Sequence, residues 1–233
     1  MKKLIFLLVL IVVIAQVAAH AATFAPPPPP PKPELAAPAA PGATRLAFFD
    51  AIESVDLARL QAFIQQGVHH SVRNEEGEPA LFVAAEKGSM AVLQLLIEGR
   101  SDPRQRTRNG ETALHAAALF GDPAQVQALL AAGVEINAVN LNGETPLAWA
   151  AMTGTLQVAE LLLRAGALAE PPDEHGNTPL HGAAKAGNAE VVKLLLARGA
   201  RSLTRNREGR TARDLAIERD HVEVVKLLPQ PRP

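Results

Sequence analysis

The sequence predicts an all-α solenoid of helix-turn-helix units joined by projecting turns, on three observations. First, Gly77, Gly110, Gly143, Gly176 and Gly209 recur at one constant interval, followed in turn by EPALFVAA, ETALHAAA, ETPLAWAA, NTPLHGAA and RTARDLAI. Self-similarity at such a period marks stacked units that cannot bury their apolar faces alone. Second, four of these octets lead into MAVLQLLIE, PAQVQALLAA, LQVAELLLRA and AEVVKLLLAR, segments apolar at three- and four-residue spacing, which is the period of an amphipathic helix. Third, aromatic residues make up 3% of the chain while Ala and Leu abound, as close packing of short helices requires and a β-rich core does not.

Taken in order, the chain opens with Lys2 and Lys3, an apolar run from Leu4 to Ala19 interrupted by Gln16, and small residues at Ala18, Ala19, Ala21 and Ala22. That order of charge, apolar stretch and small exit residues reads as a secretory signal peptide over 1–22. An uncleaved inner-membrane anchor is the alternative, the run being short against the roughly 20 residues that span a bilayer. In either case the rest of the chain is exported, to the periplasm or tethered at the inner membrane. Residues 23–43 contain APPPPPPKPELAAPAAPG. Proline's locked φ and missing N–H exclude sheet and helix there, leaving a polyproline spacer with a reach of at most about 60 Å at roughly 3.1 Å per residue.

The repeat region is expected over 44–233. An atypical N-terminal cap spans 44–73, where Asp56 precedes LARLQAFIQQG and Gly67 closes the unit. Full units follow at about 74–106, 107–139, 140–172, 173–205 and 206–233. Thr112, Thr145, Thr178 and Thr211 stand where a hydroxyl can accept from the orphan amides of a new helix, and Pro146 and Pro179 fall at the first helical position, where a proline is tolerated. Gly88, Gly121, Gly154 and Gly187 close the first helices, and Ser89, Asp122, Thr155 and Asn188 open the second. Gly133, Gly166 and Gly199 end the second helices in a left-handed turn. Arg100 occupies that glycine position in the first full unit, so an irregular helix end is expected there. Arg213, Asp214 and Asp220 replace the usual Leu, His and Gly of the last unit, as suits a cap facing water.

These residues resemble the ankyrin repeat family: a turn, a TPLHxAA segment opening one helix, and an xxVVxLLLxxGA segment forming a second. The chain is similar to exported ankyrin proteins of Gram-negative bacteria. The resemblance implies a non-catalytic module that binds a protein partner on a concave face lined by turn tips and first-helix ends. Carried over to this sequence, that face holds Glu86, Lys87, Leu119, Phe120, Met152 and Lys185 from the helices, with Glu111, Leu141, Glu144 and His175 from the tips. Leu119, Phe120, Leu141 and Met152 make an apolar centre with a polar rim, the composition of an interface; ordinary packing between repeats is the competing reading. Trp149 belongs either to the core or to the edge of that interface. His115 and His181, by the same resemblance, hydrogen-bond within and between repeats.

Composition excludes other functions. Beyond residue 43 the chain carries 20 Lys and Arg against 23 Asp and Glu, so it has no basic footprint for nucleic acid. Cysteine is absent, which removes disulfides, thiolate metal sites and a cysteine nucleophile. No catalytic or nucleotide-binding motif occurs. The adjacent His69 and His70 lack the three- or four-residue spacing of helical metal ligands. The expectation is a monomer with no cofactor, no metal and no enzymatic activity, contacting a membrane only if the first segment is uncleaved.

Overall fold

A computed structural model describes residues 41–68, 72–120 and 122–230; the expected signal peptide, most of the spacer, His69, His70 and Gly121 lie outside them. Among the described residues are twelve helices in six antiparallel pairs: α1 (Pro41–Glu53) with α2 (Leu57–Gln65), α3 (Ala80–Glu86) with α4 (Met90–Glu98), α5 (Ala113–Phe120) with α6 (Pro123–Ala131), α7 (Pro146–Thr153) with α8 (Leu156–Arg164), α9 (Pro179–Ala186) with α10 (Ala189–Ala197), and α11 (Ala212–Glu218) with α12 (Val222–Leu227). First helices pack on first helices and second on second, pair after pair. The result is a two-layered stack. None of these helices is long and apolar enough to cross a membrane.

Helix α1 takes in Pro41, Gly42 and Ala43, which the sequence reading leaves in the spacer. At the first position of a helix a proline has no hydrogen bond to lose, so the last proline of the tract can start the fold.

Side-chain size at equivalent positions sets how closely the pairs approach. Ala84, Ala117, Ala150, Ala183 and Ala216 are fully buried in the first-helix layer, and Leu96, Leu129, Leu162 and Leu195 in the second. Ala85, Ala118, Ala151 and Ala184 are equally buried, but the unit of α11 has Ile217 there, about half exposed, since among the described residues no helix pair packs over α11 on that side.

Arg100 corrects one expectation. It adopts φ +63°, the left-handed conformation that Gly133, Gly166 and Gly199 hold, and the Ser101 N–H reaches Leu96 O at 3.0 Å as Val134 N–H reaches Leu129 O. The turn is therefore regular, and a strain of about 1–2 kcal/mol sits on a single residue.

The turn tips are tied to one another. In each, a side chain accepts the N–H four residues on, for example Glu144 N–H to Asn140 Oδ1 at 2.9 Å and Asn177 N–H to Asp173 Oδ1 at 2.7 Å. Neighbouring tips then join through backbone hydrogen bonds, from Leu141 to Asn109 O, Glu174 to Asn142 O and Arg207 to His175 O. That approach explains the periodic glycine. A Cβ on Gly176, at φ +76°, would stand 3.0 Å from Arg207 N, and a left-handed φ disfavours a side chain in any case.

Candidate partner-binding face

Threonine and histidine build the foot of this face. Thr145 Oγ1 accepts from Ala148 N at 3.2 Å, capping α7. In the repeat before it, His115 Nδ1 accepts the Thr112 N–H at 3.1 Å and lies 3.0 Å from its hydroxyl. Since Nδ1 takes a backbone N–H, the ring proton is on Nε2, which donates to Glu144 O of the next repeat at 3.1 Å. His181 repeats the arrangement with Thr178 and, at 3.3 Å, Arg210 O. Each histidine thus ties its own helix start to the following tip. Burial lowers both pKa values, that of His115 to about 4.

The other units vary this device. Asp214 accepts both the Thr211 N–H and its hydroxyl at 2.8 Å, bonds that hold its carboxyl below the usual range. A carboxylate supplies the local half of the histidine's role and has no second nitrogen to reach onward. Repeat three has Ala148, so the tie from α7 to Asn177 O is missing there. Ala148→His is expected to restore it and to raise the unfolding free energy by about 1 kcal/mol, the net worth of one or two added hydrogen bonds. Urea denaturation of the full chain measures that gain.

Above this foot, the apolar residues named from the sequence are exposed: Phe120 at 54%, Leu141 at 67% and Met152 at 43%, while Leu119 is half-buried. Leu119 and Met152 hold the same position on the adjacent helices α5 and α7, and Met152 Cγ lies against Gly182 of α9. Lys87, Lys185 and His175 are exposed around them and Glu86 is half-buried. Glu111 and Glu144 are partly committed to the tips. Glu111 Oε2 accepts from Thr107 Oγ1 at 2.8 Å, and Glu144 Oε2 accepts from Asn140 Nδ2 at 2.8 Å and from Trp149 Nε1 at 3.0 Å. Trp149 is half-buried, its ring edge-on to His115 at 5.3 Å, so it joins core and surface.

A family model described as ankyrin repeats in three copies matches residues 48–140, 115–206 and 169–231. The chain belongs to the ankyrin repeat family. No curated protein matches it. Ankyrin repeats are protein–protein interaction scaffolds and typically have no catalytic role, and this stack offers the regular surface such a role uses. Among the described residues no three His, Asp or Glu side chains are placed to hold a metal ion.

Sequence reasoning missed the arginines at the tips. Arg106 Nη1 donates to Gly110 O at 3.0 Å and to Val139 O, one repeat on, at 2.7 Å, while its Nη2 pairs with Glu135 at 3.0 Å. Arg73 makes the same two kinds of carbonyl contact, to Gly77 O and Arg106 O. Their separation by one repeat length was the available signal. It also missed a cleft of about 180 Å³ between the third and fourth ankyrin repeats, bordered by Ala148, Met152 and Gly182 and, from the fifth, by Leu215.

Proposed function

We propose that this chain is an exported, non-catalytic scaffold that holds a protein partner on the face made by the first-helix ends and tips of its second to fourth full repeats. The observation that carries the reading is the exposure of Phe120, Leu141 and Met152 on or beside neighbouring units. Exposed large apolar groups on the first-helix ends and a tip of successive units, with exposed Lys87, Lys185 and His175 on equivalent ends and tips, fit a docking surface better than a bare one. A stack cross-tied by tip hydrogen bonds is already ordered before binding, so little entropy is lost on docking.

Export rests on Lys2, Lys3, the apolar run to Ala19 and the small residues that follow. Residues 23–43 act as the spacer, and the periplasm is the compartment. An inner-membrane tether is the second reading, favoured by the same apolar run if it stays uncleaved; intact mass of the protein from cells separates the two. As the test of partner binding, full-length parent and a Phe120→Arg, Met152→Arg double variant are compared in affinity capture from a periplasmic extract. Both positions are exposed, so melting should change little. Retention of a specific protein by the parent and its loss from the variant is the expected result; equal retention by both would place binding elsewhere.

A further inference from the structure

Two truncations fall side by side on the first-helix layer. At the position of His115 and His181, repeat three has Ala148; at the position of Ala116, Trp149 and Leu215, repeat four has Gly182. Helices α7 and α9 are neighbours in the stack, so the missing side chains open one shared space, the cleft of about 180 Å³. Sites for small organic ligands run from about 300 Å³ upward. This cleft is smaller, on the scale of a single side chain.

Its walls have a distinct chemistry. Ala148, Met152, Pro171 and Leu215 supply apolar surface, and Glu144 and Asp173 supply carboxylates. Glu144 is fixed by Asn140 and Trp149, and Asp173 by the N–H groups of His175 and Asn177. Glu174 follows on the same exposed tip. Among the described residues none of these three carboxylates takes part in an ion pair. Lys185 lines the cleft as the opposing charge, is exposed, and pairs with none of them. His175 and His181 also border it, the latter held neutral by burial.

We propose that the cleft receives one arginine side chain from an extended segment of the partner, an assignment that rests on the scaffold reading and specifies its chemistry. The methylene stem lies along Met152 and Leu215, as long cationic side chains do on apolar surface, and the guanidinium meets Glu144 and Asp173. Arginine suits this better than lysine because its planar fork can donate to two fixed carboxylates at once. Lys185 opposes the incoming charge and sets an upper limit on affinity.

Trp149 is the chain's single tryptophan, and its indole N–H already donates to Glu144, so one NMR signal reports on the cleft. The experiment titrates the full-length, nitrogen-15-labelled protein with N-acetylarginine methylamide, and separately with N-acetylnorleucine methylamide, which has an apolar chain and no charge. Expected are saturable shifts of the Trp149 indole and the Gly143 and Gly182 amides with the arginine probe, at least about tenfold weaker binding of norleucine, and tighter arginine binding in Lys185→Gln. Ala148→His, which fills the cleft with the imidazole its neighbours carry and removes no charge, should abolish the shifts while leaving the fold intact.

Equal binding of norleucine would overturn the role of charge, and shifts surviving in Ala148→His would place arginine elsewhere. The absence of any saturable response up to tens of millimolar probe would remove the proposal. The probe is independent of the capture experiment. Loss of the arginine response with capture intact refutes this assignment alone, and failed capture with the response intact refutes the scaffold reading alone.

Discussion

Acidifying the full-length protein from pH 7 to pH 4 is expected to remove on the order of 3 kcal/mol of stability through His115 alone. The imidazole is fully buried and neutral, and burial takes its pKa from 6.5 to about 4. Because the folded value lies below the unfolded one, the unfolded chain binds the extra proton. Stability is therefore complete above pH 6.5, falls progressively between 6.5 and about 4, and loses nothing further from this group below that. At about 1.4 kcal/mol per pH unit, the gap corresponds to the magnitude stated. Protonation also has a structural meaning: Nδ1 would have to release the Thr112 N–H it accepts, loosening the start of α5. His181 is shifted in the same direction by the same cause and adds to the fall. Asp214 and Glu223 are shifted below their ordinary carboxylate values by hydrogen bonds, so their contributions are lost at lower pH. Urea unfolding at half-unit pH steps, repeated on His115→Gln, isolates the effect. The variant should show a flatter slope between pH 6.5 and 4; an unchanged slope would mean that His115 does not titrate as its burial dictates.

Gln125→Val is expected to stabilise the stack by about 2 kcal/mol. Gln125 is fully buried in α6, and among the described residues neither its side-chain nitrogen nor its side-chain oxygen has a hydrogen-bond partner. The equivalent residues in α4, α8, α10 and α12 are Val92, Val158, Val191 and Val224, all essentially buried. An unsatisfied buried amide costs about 1–3 kcal/mol, and valine already fits this site in four other units, so removing the amide should release most of that cost. For a domain of this size the melting temperature should rise by about 4–8 °C. Differential scanning calorimetry decides it. A drop in melting temperature would show that Gln125 has a partner that the folded chain alone does not supply.

The period carried most of the fold. A glycine at each turn of the period is required wherever φ is positive and a neighbouring tip approaches within contact, as at Gly176, so the repeat and its turns could be read directly. Threonine caps and the bridging histidines were legible for the same reason, since repetition of one position reveals a role that a single histidine would not. Local departures were harder. The apolar pattern of α6 tolerates one polar residue, so Gln125 passed unnoticed until burial exposed it. The cleft needs Ala148 and Gly182 together, which lie in successive repeats, and their adjacency follows only from stacking α7 on α9. Trp149 could not be assigned to core or surface because it belongs to both, with its ring on His115 and its N–H on a tip carboxylate. Glu111 and Glu144 looked like free rim charges because sequence does not show that the tips use their oxygens. Arg100 looked like a defect because a left-handed turn favours glycine without demanding it.

Amide deuterium exchange on the complex recovered by affinity capture tests the central claim most directly. If the partner sits on the first-helix ends and tips, exchange should slow at 119–120, 141–142 and 151–153 and stay unchanged along α6, α8 and α10. Slowing confined to those second helices, or to residues 1–43, would contradict the account.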